Sequence, residues 1–175
     1  MNKVWNHFKT ITKHRHKVLV HCFRAGIIVQ GFLHDLSKYS PDEFINGCKY
    51  YQGTRSPHEA EREQNGYSAA WMHHKGRNKH HFEYWTDYDY RTKVMTPMKM
   101  PVKYVKEMFC DRLAASKIYM KDKYTDDAPL YYFRRAKVSR CINPETSELL
   151  EKLLTILAEK GEKEAFAYIR KLKKY

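Results

Sequence analysis

The sequence predicts an all-α protein that folds as a single domain. Its 175 residues suit one domain with a core of its own. Hydrophobic residues make up 42% of the chain, which is enough to offset the entropy lost on folding. Apolar residues recur at helical spacing and helix-start signals repeat, whereas the alternating pattern of strands is scarce. Together these observations favour a compact helical globule.

The first forty residues predict two helical segments. A short amphipathic helix is indicated by apolar residues at helical spacing, namely Val4, Trp5, Phe8 and Ile11. A second run from about His14 continues over Val18, Cys22 and Ala25. We expect a bend or break at Gly26 or Gly31, before the segment that ends at Tyr39.

Two further helices begin with the same signal. In the stretch SPDE, Ser40 is the expected N-cap, Pro41 takes the first helical position and Glu43 completes a capping box. The stretch SPHE at residues 56–59 repeats this pattern. It opens a helix that we expect to run to about His74. The His34–Asp35 pair therefore falls within the last turns of the helical segment that precedes Ser40.

The segment after His74 is polar and aromatic, and we expect it to run mainly as irregular chain. Loops of this length in compact domains tend to be functional. Pro101 then opens a long helix that continues to about Lys121. On one face of that helix, Asp111 lies in the middle of an apolar stripe formed by Tyr104, Met108, Ala115 and Ile118.

The C-terminal part predicts further helices that pack on the rest. A short helix is expected over the stretch DAPLYYFRRAKV. Asn143 and Pro144 provide the N-cap and first position of another helix, which ends before Gly161. The stretch EKEAFAYIRKLKKY closes the chain as a basic amphipathic helix. We therefore expect one helical domain, with a core over about residues 1–122 and additional C-terminal helices over about 123–175.

The charge of the chain favours anionic partners. Lys and Arg number 33 against 20 Asp and Glu, a net charge of +13. Phosphorylated small molecules, nucleic acid and an anionic membrane surface all fit this excess. The four cysteines form no C-x-x-C pair, which argues against a zinc–thiolate or redox site. No apolar run is long enough for a membrane span, and the N-terminal stretch is too polar for a signal peptide, so we expect a cytoplasmic protein.

Residues that can bind a metal lie on separate segments. They are His14, His16 and His21 on an early helix, His34 and Asp35 on the next, His73, His74, His80 and His81 further on, and Asp111 on the long helix. Helices packed around one core can direct such side chains to a shared point. A nitrogen and oxygen ligand set without thiolate suits Mn, Fe, Co, Ni or Zn.

The stretch FLHDLSK resembles the H-D-x-G-K signature of the HD-domain metal-dependent phosphohydrolases, which are all-helical. The stretch CDRLAASK resembles the late D-x-L segment of that family. This resemblance implies an HD-type fold with a metal held by His34, Asp35 and Asp111. It also implies a ligand from the first helix. We assign that ligand to His16, because HKVLVHCF resembles the start of the family's first helix, with His21 as the alternative.

The stretch WMHHKGRNKHHFEYW resembles the His-His segment of the binuclear branch of the same family. This implies that His73, His74, His80 and His81 bind a second metal or the substrate, so the expected cofactor is one or two divalent transition-metal ions. The GYP motif of cyclic-dinucleotide phosphodiesterases does not follow the His-His pair, which argues against that activity. The chain also resembles, over most of its length, a group of small bacterial proteins that share GFLHDLSKYSP and HHKGRNKHHFEYW and have no known substrate.

The function implied by the resemblance is hydrolysis of a small phosphorylated compound, with nucleotides among the candidates, by a metal-activated water. Lys38, one helical turn after His34, is expected to stabilise the phosphoryl charge. Arg77 is expected to assist, because its planar guanidinium binds phosphate through two hydrogen bonds. The alternative function is a non-catalytic, basic helical module that binds nucleic acid and holds any metal in a structural role.

Overall fold

Eight α-helices and one two-stranded sheet make up the part of the chain that the structure describes, residues 2–135 and 141–175. In this computed structural model the helices are α1 Lys3–Ala25, α2 Ile28–Leu33, α3 Pro41–Tyr50, α4 Pro57–Asn65, α5 Ala69–Arg77, α6 Val102–Met120, α7 Ala128–Arg135 and α8 Pro144–Lys171. The strands are β1 Thr86–Asp89 and β2 Val94–Pro97, and short 3-10 turns cover Leu36–Tyr39, Phe82–Tyr84 and Lys121–Lys123. The prediction of an all-α, single-domain protein is confirmed.

The hydrophobic core lies where α1, α6 and α8 pack together. Its fully buried side chains include Val18 from α1, Phe109 and Leu113 from α6, and Leu153 and Leu157 from α8. One face of α1 is buried against this core, and it carries histidines as well as apolar residues. The site described below therefore lies beside a packed apolar core.

The two helical segments predicted before Gly26 form one continuous helix, α1. The left-handed backbone conformation of Gly26 ends it, with φ of 75°. In contrast, the single helix predicted from residue 57 to about His74 is interrupted. Gly66 adopts φ of 79° and ends α4, so a separate helix α5 starts after Ser68, whose side chain caps it. The helix boundary that the sequence analysis missed is therefore a glycine C-cap.

The segment predicted as irregular contains a β-hairpin. Strands β1 and β2 pair antiparallel, with Thr86 opposite Pro97 and Asp89 opposite Val94. The long helix predicted after Pro101 is confirmed as α6. Before the hairpin, the chain after α5 makes a tight turn through residues 78–81 that returns His80 to the protein interior and leaves His81 half-buried.

The C-terminal helices follow the predicted signals. The Asn143 side chain accepts a hydrogen bond from Thr146 N at 3.3 Å, and Pro144 is the first residue of α8. A non-helical residue, Gly161 with φ of 77° and ψ of 175°, divides α8 where the sequence predicted a boundary. Helix α7 covers part of the predicted DAPLYYFRRAKV helix, whose last residues, 136–138, lie outside the described residues.

The break between α2 and α3 positions the His34–Asp35 pair. Helix α2 ends at Leu33, His34 is extended, and Asp35 adopts a left-handed conformation with φ of 54° and ψ of 26°. The prediction that this pair lies in the last turns of a helix was therefore wrong. Arg15 of α1 stabilises the break, because its guanidinium donates to His34 O at 2.8 Å and Phe32 O at 3.0 Å. A left-handed non-glycine residue costs about 1–3 kcal/mol, which the surrounding structure must offset.

Candidate metal centre

Two groups of histidine and carboxylate side chains meet at Asp35. In each group, one ligand atom per residue lies within 4.8 Å of every other. The first group comprises His14, His34, Asp35 and Asp111. The second comprises Asp35, His74, His80 and His81. These side chains come from α1, the α2–α3 break, α5, the turn after α5, and α6, so the site exists only in the folded protein.

The first group joins α1 to α6 across the α2–α3 break. His14 Nε2 lies 2.9 Å from Asp111 Oδ1 and 3.7 Å from Asp35 Oδ2. His34 Nε2 lies 3.2 Å from Asp35 Oδ2 and 3.6 Å from Asp111 Oδ1. Two imidazole nitrogens and two carboxylates thus face a common point.

The second group is built by α5 and the turn that follows it. His74 Nε2 lies 3.3 Å and His80 Nε2 3.5 Å from Asp35 Oδ1. His81 Nε2 approaches His74 Nε2 to 2.9 Å. Asp35 therefore presents Oδ2 to the first group and Oδ1 to the second, and it belongs to both.

Two further carboxylates hold the outward-facing nitrogens of these histidines. Glu107 Oε1 lies 3.0 Å from His34 Nδ1 and 3.1 Å from His80 Nδ1. Glu43 Oε2 lies 2.7 Å from His74 Nδ1. A carboxylate only accepts, so each Nδ1–H donates to it. In a neutral ring this leaves the Nε2 lone pair directed at Asp35, which is the tautomer a metal ligand requires.

Lys38 adds a permanent positive charge. Its Nζ lies 2.6 Å from Asp35 Oδ2, three residues back along the 3-10 turn. The predicted position of Lys38 on a helix face with His34 is not observed, because its ammonium lies against Asp35 instead. Burial alone would lower the pKa of Lys38, but the Asp35 and Asp111 carboxylates outweigh burial and raise it. Lys38 is therefore a cation at neutral pH.

The buried charges of the centre do not balance. Counting Asp35, Asp111, Glu43 and Glu107 as −1 each and Lys38 as +1, these residues alone sum to −3 when the histidines are neutral. Burial would raise the pKa of Asp35, but His34 and Lys38 hold it well below its ordinary value. Burial would likewise lower the pKa of His34, but Asp35 raises it well above 6.5. The centre therefore attracts protons or cations strongly.

Unpartnered atoms at the centre fit a bound cation. His14 Nε2, His34 Nε2, His80 Nε2 and both Asp35 oxygens are buried and make no hydrogen bond of proper geometry to any residue in the described ranges. Asp35 Oδ2 has the Lys38 ammonium close by, as an ion-pair contact. Buried polar atoms are rarely left without a hydrogen bond. These buried clusters can therefore hold a metal ion.

The histidine ligand predicted from α1 is not the one that lies at the centre. His16 is exposed, and its Nδ1 contacts Thr12 O at 2.9 Å. His21 is buried elsewhere, where Nδ1 contacts Cys110 O at 3.3 Å. His14 occupies the position instead. The sequence feature that could have identified His14 is its spacing of seven residues from His21. This spacing puts both residues on the buried face of the helix, whereas His16 points away.

Two other predicted site residues lie outside the two groups. His73 contacts Glu43 Oε1 at 2.7 Å and Asp42 Oδ2 at 3.3 Å. Arg77 is exposed and reaches His73 O at 3.5 Å. His34, Asp35, Asp111, His74, His80 and His81 are brought together as predicted.

Glu43 and Glu107 were missed by the sequence analysis. Glu43 was assigned to a capping box, but the Ser40 side chain makes no capping hydrogen bond and the Glu43 carboxylate binds histidines. Glu107 precedes Asp111 by four residues, so the helical spacing already placed it on the same face.

Among the helices in residues 2–135 and 141–175, none combines the length and apolar character needed to cross a lipid bilayer.

Comparison with known proteins places the chain in one family. A family model described as a family of unknown function, DUF5662, matches residues 3–156. Every residue of the two groups lies within that match. Searches of curated proteins and of solved structures found no match. The chain therefore belongs to the DUF5662 family.

Proposed function

We propose that the protein is a metal-dependent phosphohydrolase of the HD type that acts on a small phosphorylated compound. One observation carries the proposal: Asp35 directs one carboxylate oxygen at each of two histidine groups. Sites with two metal ions joined in this way are typical of enzymes that cleave phosphate esters. The sequence resemblance of FLHDLSK to the HD signature supports the same class.

The residues that would hold metal follow from the geometry. The first ion would be held by His14, His34, Asp35 and Asp111, and the second by Asp35, His74, His80 and His81. When bound, a divalent ion supplies a water that is acidic near neutral pH and polarises a phosphoryl oxygen. Mn, Fe, Co, Ni and Zn all suit these ligands.

Lys38 is the residue we assign to the substrate phosphoryl group. Its ammonium lies beside Asp35, and the residue also lines a crevice between α1, α3 and the start of α4. There it can donate to a phosphoryl oxygen and stabilise charge that develops on it. We assign no such role to Arg77, because its side chain is exposed and folds back on α5.

The crevice beside Lys38 favours a small substrate group. Its volume is about 50 Å³, and a cavity needs roughly 10–15 Å³ of this volume for one water molecule. The crevice is therefore small, and a compact group such as a phosphate fits it better than a nucleobase does. A nucleobase or a nucleic-acid strand would have to lie outside it.

The proposal includes an alternative function and a cellular location. A basic module that binds nucleic acid remains the alternative, supported by the net charge of +13. We also propose that the protein acts in the cytoplasm, which the four free cysteines favour.

The test is hydrolysis of a panel of phosphomonoesters and nucleotides with added Mn or Co. We expect the parent protein to hydrolyse at least one compound, and Asp111→Ala to abolish turnover because it removes a ligand. Lys38→Ala should keep its metal content while the rate falls on the order of 10²-fold. His16→Gln, which changes an exposed histidine, should match the parent.

Two results would contradict the proposal. One is a parent protein that binds no metal and hydrolyses nothing in the panel. The other is equal turnover by the Asp111→Ala variant and the parent. If the inactive protein instead binds single-stranded or duplex nucleic acid with a steep dependence on salt, the alternative function is the better account.

A further inference from the structure

We propose that Glu107 is a positioning residue that couples the two halves of the metal centre. One oxygen of its carboxylate contacts a histidine of each group, so the metal affinity of both halves depends on it. This inference rests on the metal centre of the proposed function. It goes beyond that function because Glu107, which forms a three-residue cluster of its own with His34 and His80, belongs to neither four-residue group. It also concerns metal affinity rather than hydrolysis.

The geometry of Glu107 carries the proposal. Its Oε1 accepts from His34 Nδ1 at 3.0 Å and lies 3.1 Å from His80 Nδ1 as an ion-pair contact. The two rings lie with their centroids 4.3 Å apart. His34 belongs to the first group and His80 to the second. Glu107 is only 5% exposed, so solvent does not compete effectively for its carboxylate.

These hydrogen bonds determine what the two rings can bind. A carboxylate that accepts from Nδ1–H keeps the proton on that nitrogen, orients the ring and makes Nε2 a better ligand. Loss of such a partner typically lowers metal affinity by about 10–100-fold. Because the same oxygen serves both rings, a change at Glu107 alters both groups at once. Its place one turn before Asp111 on α6 fixes it relative to a ligand of the first group.

Glu43 provides a matched control within the same protein. Its Oε2 holds His74 Nδ1, and its Oε1 holds His73, which lies outside both groups. Glu43 is also buried, with 3% of its surface exposed. A change from Glu to Gln therefore removes the same charge at both positions. At Glu43 it affects the hydrogen bond of one ligand only, His74 of the second group.

The experiment uses variants that retain one group each. His14→Ala removes a ligand from the first group and His81→Ala removes one from the second, so each variant keeps one complete group, and both leave His34, His80 and Glu107 in place. Zn²⁺ is titrated calorimetrically into each variant, alone and combined with Glu107→Gln or Glu43→Gln. We expect Glu107→Gln to lower Zn²⁺ affinity about 10–100-fold in both backgrounds. Glu43→Gln should do so only in the His14→Ala background, where the second group remains.

Loss of affinity in one background only, or in neither, would overturn the coupling role. Circular dichroism establishes that each variant is folded. If Glu107→Gln does not fold, Glu107→Asp replaces it; this variant keeps the charge and withdraws the oxygen by one methylene, and it should also weaken both groups. A parent protein that binds Zn²⁺ but hydrolyses nothing would overturn the phosphohydrolase and leave this inference standing. A parent that binds no Zn²⁺ would overturn both.

Discussion

The partner of the Nδ1 atom differs between the histidines of the metal centre and two other histidines of α1. At the metal centre that partner is a carboxylate, as for His34 and His74. For His16 and His21 the partner is a backbone carbonyl. His21 also packs on the ring of Phe166, with centroids 5.6 Å apart. We therefore assign His21 to the core, where it has to stay neutral.

His21 makes folding stability sensitive to acid. Burial lowers the pKa of His21 from 6.5 to about 4 in the folded protein, and its hydrogen bond to the Cys110 carbonyl opposes this only in part. Between these two values the unfolded chain binds a proton that the folded protein does not, so stability falls as the pH falls. Protonation of His21 in the unfolded chain should lower the free energy of unfolding by about 2 kcal/mol between pH 7 and pH 5.

Urea unfolding of His21→Gln at pH 7 and pH 5 measures this effect. The glutamine can still donate to the Cys110 carbonyl, but it cannot titrate. Its loss of stability between the two pH values should be smaller than that of the parent by about 2 kcal/mol. His16→Gln, on the exposed side of α1, serves as the control. An equal loss in His21→Gln and the parent would contradict the prediction.

At the scale of helices, α3 approaches α1 closely at one glycine. A Cβ atom at Gly47 would lie 2.2 Å from His7 Nε2 and 2.7 Å from His7 Cε1. The His7 ring is confined, because the rings of Phe44 and Tyr51 lie with centroids 5.5 Å and 5.7 Å from it. The position of α3 matters for the site, since Glu43 on this helix holds His74.

Gly47→Ala should therefore destabilise the protein. Overpacking of this kind costs about 1–3 kcal/mol, which exceeds the 0.5–1 kcal/mol or so that alanine gains over glycine within a helix. Gly76→Ala on α5 is the matched control, because its Cβ would meet nothing within 4 Å and should stabilise the helix. Chemical denaturation measures both variants. Equal stability of the two variants would show that His7 moves aside without cost.

Elements with local start and stop signals could be predicted from the sequence, and those that depend on distant residues could not. Proline and asparagine at the start of α8, and Gly161 within it, act on their own backbone. The left-handed Asp35 depends instead on Arg15, twenty residues earlier in the chain. Similarly, Glu43 can complete a capping box or bind a histidine. Its sequence position fits the capping box, and only the folded chain places His73 and His74 beside it. Most ligands of the candidate site were predicted by residue type and motif, but the choice of His14 required the helical phase of α1.

The whole molecule combines a basic surface with a buried acidic centre. The net charge of +13 attracts anions to the surface, while the carboxylates around Asp35 attract cations to the interior. A metal ion that binds only the folded protein stabilises it by mass action, by about 2.7 kcal/mol at a hundredfold excess over the dissociation constant. Binding should thus be visible in the melting temperature.

Thermal unfolding with and without Zn²⁺ tests this prediction. For a chain of this length, about 2.7 kcal/mol corresponds to a rise of roughly 5–10 °C, and a chelator should reverse it. The combined variant with His14→Ala and His81→Ala should lose the rise, because each group then lacks a ligand. His16→Gln should retain it. An equal rise in the combined variant would mean that the ion binds elsewhere on the protein.

The distance along the chain between the residues of the centre has a kinetic consequence. His14, Asp35, His74 and Asp111 meet only after long stretches of intervening chain have closed, and each closure costs entropy before any contact forms. A complete set of ligands is thus assembled late on the folding route. An ion held by them would leave the folding rate nearly unchanged and would slow the rate of unfolding, so it would lengthen the lifetime of the native state.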